Sequence, residues 1–312
     1  MKSIKTLALT ATTALVLASC GTSQTVPLTG RTHRISVSDE EVLSLSKQEY
    51  TKYMQSATKS TNATNTAMVK RVGTNLANAV ESYLKQNGYA SDVKNYSWEF
   101  NLVQDKSANA FCMPGGKIVV YEGLLPYTQN ETCLAIVLGH EIAHAVAKHS
   151  AEQLTKKQNQ QVGTNILGNV LNSAVGSGVG NVASAVAGQY FSFRNLKYSR
   201  DNETEADYMG LIFAAMAGYD PQQAIPFWQR MSQNSSSSNQ SDIFSDHPSD
   251  AKRIAALQEE MPTALKYYKT TSAASKTSTT TKKTTATTKK STTSTKKKST
   301  ATYNVSTGKI SK

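Results

Sequence analysis

The sequence predicts an α+β fold: a mainly helical domain with a small antiparallel sheet, gathered round one enclosed helix. Three observations carry this. Apolar residues recur at every fourth position in Met68, Val72, Leu76, Val80 and Leu84, which is one face of a helix. The spacing shortens to that of strands in Trp98–Val103 and Lys117–Tyr121, around a Pro114-Gly115-Gly116 turn. Glu131–Leu154 then holds no proline and a single glycine, and Leu134, Val137, Leu138, Ile142, Ala145 and Val146 make an apolar face broad enough to demand burial.

In chain order, Lys2 and Lys5 precede an apolar stretch, Leu7–Leu17, that is too short to cross a bilayer and reads as a secretory signal over residues 1–19. It ends in Leu17-Ala18-Ser19-Cys20-Gly21, which resembles a bacterial lipobox, so Cys20 is the expected lipidation site. On this reading the mature chain is held to a membrane by an N-terminal lipid in the bacterial cell envelope. It faces the periplasm and sits on the outer membrane, since no aspartate follows Cys20. Residues 20–37, polar and broken by Pro27 and Gly30, read as a tether.

Ser38 and Glu41 have the spacing of a capping box and open a helix to about Ala57. A second helix runs from Asn65 to Gln86 and stops at Asn87-Gly88. Residues 158–193 carry no charge, yet Asn, Ser and Gly make them too polar for a membrane span, which leaves either a flap over a site or a plain surface loop. A helix over Asp201–Ala217 ends at Gly218, Asp220-Pro221 opens another to Met231, and 232–241 is a linker. The folded domain is thus expected at 38–265, with a tail at 266–312.

The formal charge is +12, but residues 261–312 hold 12 of the 34 Lys and Arg and none of the 22 acids, so residues 1–260 balance at 22 against 22. The basicity belongs to an appendage, and no nucleic-acid partner is expected. Built almost wholly of Thr, Ser, Lys and Ala, the tail cannot bury enough apolar area to offset the entropy of ordering and is expected to be disordered. Its lysines either bind an anionic envelope polymer or form an inert extension. Cys112 and Cys133 are either a disulfide of an oxidising compartment or two thiols.

Chemistry concentrates in His140-Glu141-Ile142-Ala143-His144. Two imidazoles four residues apart share a helical face and can grip one zinc ion, with Glu141 beside them as a general base toward water. A catalytic zinc takes three protein ligands and keeps one position open, so a third ligand must come from elsewhere. In Ser199-Arg200-Asp201-Asn202-Glu203-Thr204-Glu205-Ala206-Asp207, Glu203 and Asp207 lie one turn apart on one face. Glu203 is the candidate ligand and Asp207 the group that orients a ligand imidazole, while Glu205 points elsewhere. An acidic helix start drawn to the N-terminal dipole would look the same by itself; its pairing with the His-Glu-x-x-His helix favours ligation.

With these motifs the chain resembles the HtpX/Oma-type zinc metallopeptidases, zincin-type gluzincins that include the CAAX prenyl proteases and the BepA-like and LoiP-like periplasmic proteases. The pieces that carry the resemblance are Asn109-Ala110-Phe111-Cys112-Met113-Pro114-Gly115-Gly116, the His-Glu-x-x-His helix with Lys148-His149 trailing it, Glu203-Thr204-Glu205-Ala206-Asp207, Ala217-Gly218-Tyr219-Asp220-Pro221 and Asp246-His247-Pro248. The resemblance implies that His140, His144 and Glu203 bind one Zn2+ per chain and that Glu141 is the general base. It implies too that Asn109, Ala110 and Phe111 lie along a substrate cleft where a peptide adds as a strand. His247 would then be catalytic, approaching the metal or an oxyanion, against the plainer reading of a helix-entry residue before Pro248; Arg253 follows at the family's spacing. No helical repeats follow, and the Lys/Thr/Ser tail has no counterpart in BepA-like proteins.

The expected function is therefore a zinc metalloendopeptidase that hydrolyses misfolded or unassembled envelope proteins in protein quality control. The alternative is a non-proteolytic, zinc-stabilised chaperone or assembly factor for such proteins.

Overall fold

The computed structural model describes residues 21–172, 192–194, 196–234, 251–281, 302–304 and 309–311. The expected signal over 1–19, Cys20, His247 and the greater part of the 158–193 run lie outside these residues.

Residues 21–37 do not form a tether. Strands β1 (Thr22–Thr25) and β2 (Thr32–Ile35) make an antiparallel hairpin with Thr22 opposite Ile35. Val26, Thr29 and Ile35 are buried in the domain. Polarity misled here because the polar side chains of Thr29, Arg31 and His33 find buried partners in place of water. The folded unit thus begins ahead of Ser38.

Helix α1 (Asp39–Ser56) starts where Ser38 accepts from the Glu41 amide, and α2 (Ala63–Gln86) where Asn62 accepts from the Asn65 amide. The buried stripe of α2 is Val69, Val72, Leu76, Val80 and Leu84, and left-handed Gly88 closes it. Strands β3 (Glu99–Val103), β4 (Ala110–Met113) and β5 (Lys117–Tyr121) form a sheet in the order β3-β5-β4. The antiparallel pair is β4 with β5, around a turn in which Gly115 and Gly116 take positive φ. β3 joins the other side of β5 in parallel, Glu99 opposite Lys117, because the chain doubles back before β4. One face of the sheet (Leu102, Ala110, Cys112, Ile118, Val120) enters the main core; the other (Val103, Phe111, Met113, Val119, Tyr121) packs with Ile35 and Tyr50.

The helix expected over Glu131–Leu154 is two helices. α3 (Glu131–Val146) is apolar almost all round and buried for nearly its whole length. Lys148 then takes φ +54, and α4 (His149–Asn172) leaves in a new direction. No glycine or proline marks the break; the Lys148 ammonium is held by both carboxylate oxygens of Asp39, at 3.0 and 2.9 Å. α5 (Arg200–Met216) opens with a capping box between Ser199 and Asn202, and α6 (Ala224–Asn234) follows a turn capped by Asp220.

α7 (Ala251–Thr281) runs into the region expected to be a disordered tail. Ile254, Leu257, Met261, Ala264, Tyr267 and Tyr268 dock on the core, and a helix once nucleated extends at little cost. Strands β6 (Thr302–Asn304) and β7 (Lys309–Ser311) pair antiparallel. Among the described residues no helix is long and apolar enough to cross a membrane, and Cys112 and Cys133 are buried free thiols.

Helices α3 and α5 cross with their backbones in contact. A Cβ on Gly139 would lie 2.6 Å from the Gly210 carbonyl oxygen, and one on Gly210 would lie 2.6 Å from the His140 amide nitrogen. Backbone cannot yield as a side-chain end can. Gly210→Ala is therefore expected to cost about 3 kcal/mol, the upper end for overpacking, or roughly 6–12 °C in Tm for a domain of this size. Thermal unfolding followed by circular dichroism checks it, and an unchanged Tm would show that the helices can separate freely.

Candidate metal centre

The α3–α5 crossing brings His140, His144 and Glu203 together, with one ligand atom from each within 4.8 Å of the others. His140 and His144 are a helical turn apart on buried α3, and Glu203 sits in the first turn of α5. His140 Nε2 lies 3.1 Å from His144 Nε2 and 3.4 Å from one Glu203 oxygen, while the other Glu203 oxygen lies 3.5 Å from His144 Nε2. Three ligands on a tetrahedral zinc, bonded at about 2.0–2.1 Å, stand about 3.3–3.4 Å from one another. Two borderline nitrogens and one carboxylate, already at that spacing, fit a zinc ion with a fourth position left open.

Each imidazole is gripped from behind. His140 Nδ1 lies 2.8 Å from Asp207 Oδ1, which also accepts from Arg253 Nη2 at 2.5 Å. The Arg253 guanidinium carbon, from α7, lies over the Trp228 ring, 3.6 Å from its centroid. Burial works against a charge on His140, but the Asp207 and Glu203 carboxylates outweigh it and lift the imidazole to about 9. The pocket favours positive charge at the place where a metal would sit. Tyr198 stacks on the His144 ring, centroids 4.0 Å apart.

His144 is backed by a group that sequence reasoning passed over. His149 Nδ1 lies 2.9 Å from His144 Nδ1, and His149 Nε2 lies 2.9 Å from Glu205 Oε2. Glu205, read from the helical wheel as pointing elsewhere, is fully buried against the hairpin: it accepts from Thr29 Oγ1 at 2.6 Å and from Arg31 Nε at 2.8 Å. Arg31 also pairs with Glu152, which contacts His33. Full burial lowers His149 below its ordinary value, against the pull of the Glu205 carboxylate. The only hint in the sequence was the His149 that trails the motif.

Glu141 is buried on α3 next to His140. It stands close enough to β4 that its charge adds to burial in pushing the Cys112 thiol well above its ordinary range. β4 thus passes the site. The Ala110 and Phe111 side chains go into opposite cores, and Asn109 caps the Ala110 amide at 2.8 Å. What this segment offers a partner is backbone: the Tyr121 amide bonds the Asn109 carbonyl, and by antiparallel alternation the Ala110 carbonyl and the Cys112 amide and carbonyl turn to the sheet's outer edge.

The buried acids also set a pH dependence. Desolvation opposes their ionisation, yet hydrogen bonds from His149 and Arg31 hold Glu205 at about 2, and His33 and Lys156 hold Glu152 lower still, against 4.5 unfolded. Folded values below the unfolded one mean that their stabilisation is complete above about pH 4.5 and is lost as pH falls toward 2. Wild-type Tm is expected to fall steeply through that window, and Arg31→Met to start lower with a flatter acid limb. Parallel Tm–pH curves for the two proteins would remove Arg31 from this role.

Comparison with known proteins agrees with the geometry. The sequence model of peptidase family M48 matches residues 65–261. The mitochondrial metalloendopeptidase OMA1 of Schizosaccharomyces pombe is 35% identical over 59% of this chain and 53% of its own, and that of Arabidopsis thaliana 38% identical over 61% and 37%. The β-barrel assembly-enhancing protease of Escherichia coli is 28% identical over 54% of this chain and 35% of its own. The chain thus spans about half or less of the length of these relatives. The yeast and plant relatives, mitochondrial by name, also overturn the location read from the N-terminus: a lipid-anchored, periplasm-facing place in the bacterial envelope does not stand. With the His-Glu-x-x-His helix and Glu203 at one point and a family match over well more than half its length, the chain belongs to peptidase family M48, whose members are metal-dependent peptidases.

Proposed function

We propose that this chain is a zinc-dependent endopeptidase that cuts misfolded or unassembled polypeptides in protein quality control. The observation that carries the reading is the tetrahedral spacing of His140, His144 and Glu203. Zinc bound there would supply Lewis acidity, polarising a scissile carbonyl and acidifying a water. Glu141, on the same helix, takes a proton at its carboxylate and returns it to the nitrogen of the leaving amine. Asp207 and His149 hold the two imidazoles with Nε2 turned to the metal position.

The open edge of β4 supports an unfolded substrate. An extended peptide would pair with the Ala110 carbonyl and the Cys112 amide and carbonyl as an added strand, which suits a segment free of its own sheet pairing. That the yeast and plant relatives are named metalloendopeptidases supports the activity, and the name of the Escherichia coli relative supports a substrate in assembly.

The test is metal content and casein cleavage by the full chain, before and after chelation. One zinc per chain, cleavage lost with chelator and regained on adding zinc, is the expected result. Cleavage that survives complete removal of metal would overturn the reading.

A further inference from the structure

We infer that His149, Glu205 and Arg31 form a positioning relay that fixes which ring nitrogen His144 presents to the metal. The inference rests on the metal reading above and adds to it the N-terminal hairpin as a working part of the centre.

Proton placement on the two rings decides it. At 2.9 Å, His144 Nδ1 and His149 Nδ1 must be one donor and one acceptor, since two N–H groups would collide and two lone pairs repel. A ligand imidazole that offers Nε2 carries its proton on Nδ1. His149 Nδ1 is therefore the acceptor, and the His149 proton sits on Nε2. That nitrogen lies 2.9 Å from Glu205 Oε2. An ionised carboxylate only accepts, so it selects this tautomer and no other. Glu205 is in turn kept ionised by three donors from the hairpin: Thr29 Oγ1 at 2.6 Å, Arg31 Nε at 2.8 Å and Arg31 Nη2 at 2.7 Å. His149 and Glu205 side chains are fully enclosed, so water does not compete.

The break at Lys148 makes the contact. In an unbroken helix, position 149 stands about 140° round the axis from position 144, given 3.6 residues per turn. The left-handed Lys148 turns the His149 ring back over His144. A non-glycine residue in that conformation costs of order 1–3 kcal/mol and persists where the surroundings enforce it. The Asp39 clasp on Lys148 is such an enforcement. The two ligands are thus held differently: His140 by a carboxylate directly, His144 by a neutral imidazole oriented by Glu205, 56 positions on, which the hairpin holds in turn.

The experiment is zinc affinity by competition with a chromophoric chelator, with the visible spectrum of the Co2+ form and the Tm of the metal-free protein alongside, for wild type, His149→Phe, His149→Asn and Arg31→Met. Phe keeps the ring and removes the acceptor, whereas the Asn carbonyl stands near the place of Nδ1 and can accept from His144. Loss of such a partner costs roughly 10–100-fold in metal affinity. His149→Phe is expected to lose that much with a shifted Co2+ spectrum, His149→Asn to recover most of it, and Arg31→Met to fall between. A merely structural role would lower the metal-free Tm and leave zinc affinity alone. His149→Phe binding zinc like wild type, or His149→Asn binding as weakly as His149→Phe, overturns the relay. If His149→Phe does not fold, Arg31→Met decides with Arg31→Lys as its rescue, and wild-type affinity in Arg31→Met overturns it. A wild type that takes up no zinc overturns the metal reading, and this inference with it.

Discussion

Glu141→Gln is expected to cut casein about 1,000-fold more slowly than wild type while binding one zinc with unchanged affinity, a loss of about 4 kcal/mol of transition-state stabilisation. The two side chains have the same shape, so the buried α3 keeps its packing. An amide cannot take up the proton that leaves the attacking water, and neighbouring buried carboxylates are already engaged, Asp207 with His140 and Arg253, and Glu205 with His149 and Arg31. The measurement also separates cutting from holding. A protein that only shielded unfolded chains would suppress their aggregation equally well with Gln at 141 and would show no cleavage for the substitution to remove. Full activity in Glu141→Gln would take the general-base role from this residue.

Glu203→Ala is expected to lower zinc affinity more than the roughly 100-fold that loss of an outer partner can cost. Glu203 supplies the anionic ligand, and one oxygen faces each imidazole. Asp207, one turn on, cannot swing in as a substitute because its carboxylate is clamped beneath His140 by Arg253. A ligand that binds only the folded state at 100 times its Kd stabilises it by about 2.7 kcal/mol, so wild-type Tm should rise on adding zinc and that of Glu203→Ala should not. Isothermal titration and a thermal melt with and without zinc read both effects. An equal Tm rise in the variant would mean that the metal is held by other residues.

The parts of this centre that were legible in the sequence are those with local spacing. His140 and His144, and Glu203 and Asp207, each sit four apart on a helix, so a helical wheel puts them on one face with no knowledge of the fold. The capping residues Ser38 and Asp220 and the Gly115-Gly116 turn were readable because their side-chain or backbone chemistry acts within three residues. What could not be read depends on partners far away. Glu205 differs from a solvated helix acid only because Arg31 and Thr29 meet it from the hairpin. The kink at Lys148 has no glycine or proline to mark it, as the force that holds it comes from Asp39. The parallel placement of β3 follows from how the chain returns through 104–109, which periodicity does not record. Gly139 and Gly210 are single glycines in helices, and nothing local says that each is the other's contact.

The reach of the hairpin bears on when, during synthesis, the centre becomes complete. Thr29 and Glu205 are 176 positions apart, and Arg253, which clamps Asp207, comes 46 positions after that residue. Contacts of such separation close late, because a long loop must be ordered before they repay it. During synthesis the His-Glu-x-x-His helix emerges well before the residues that complete its surroundings, and the last of them comes after some four-fifths of the chain. A nascent or truncated chain would therefore carry the recognisable motif without the means to use it. The order of synthesis thus delays completion of the centre until most of the chain has been made.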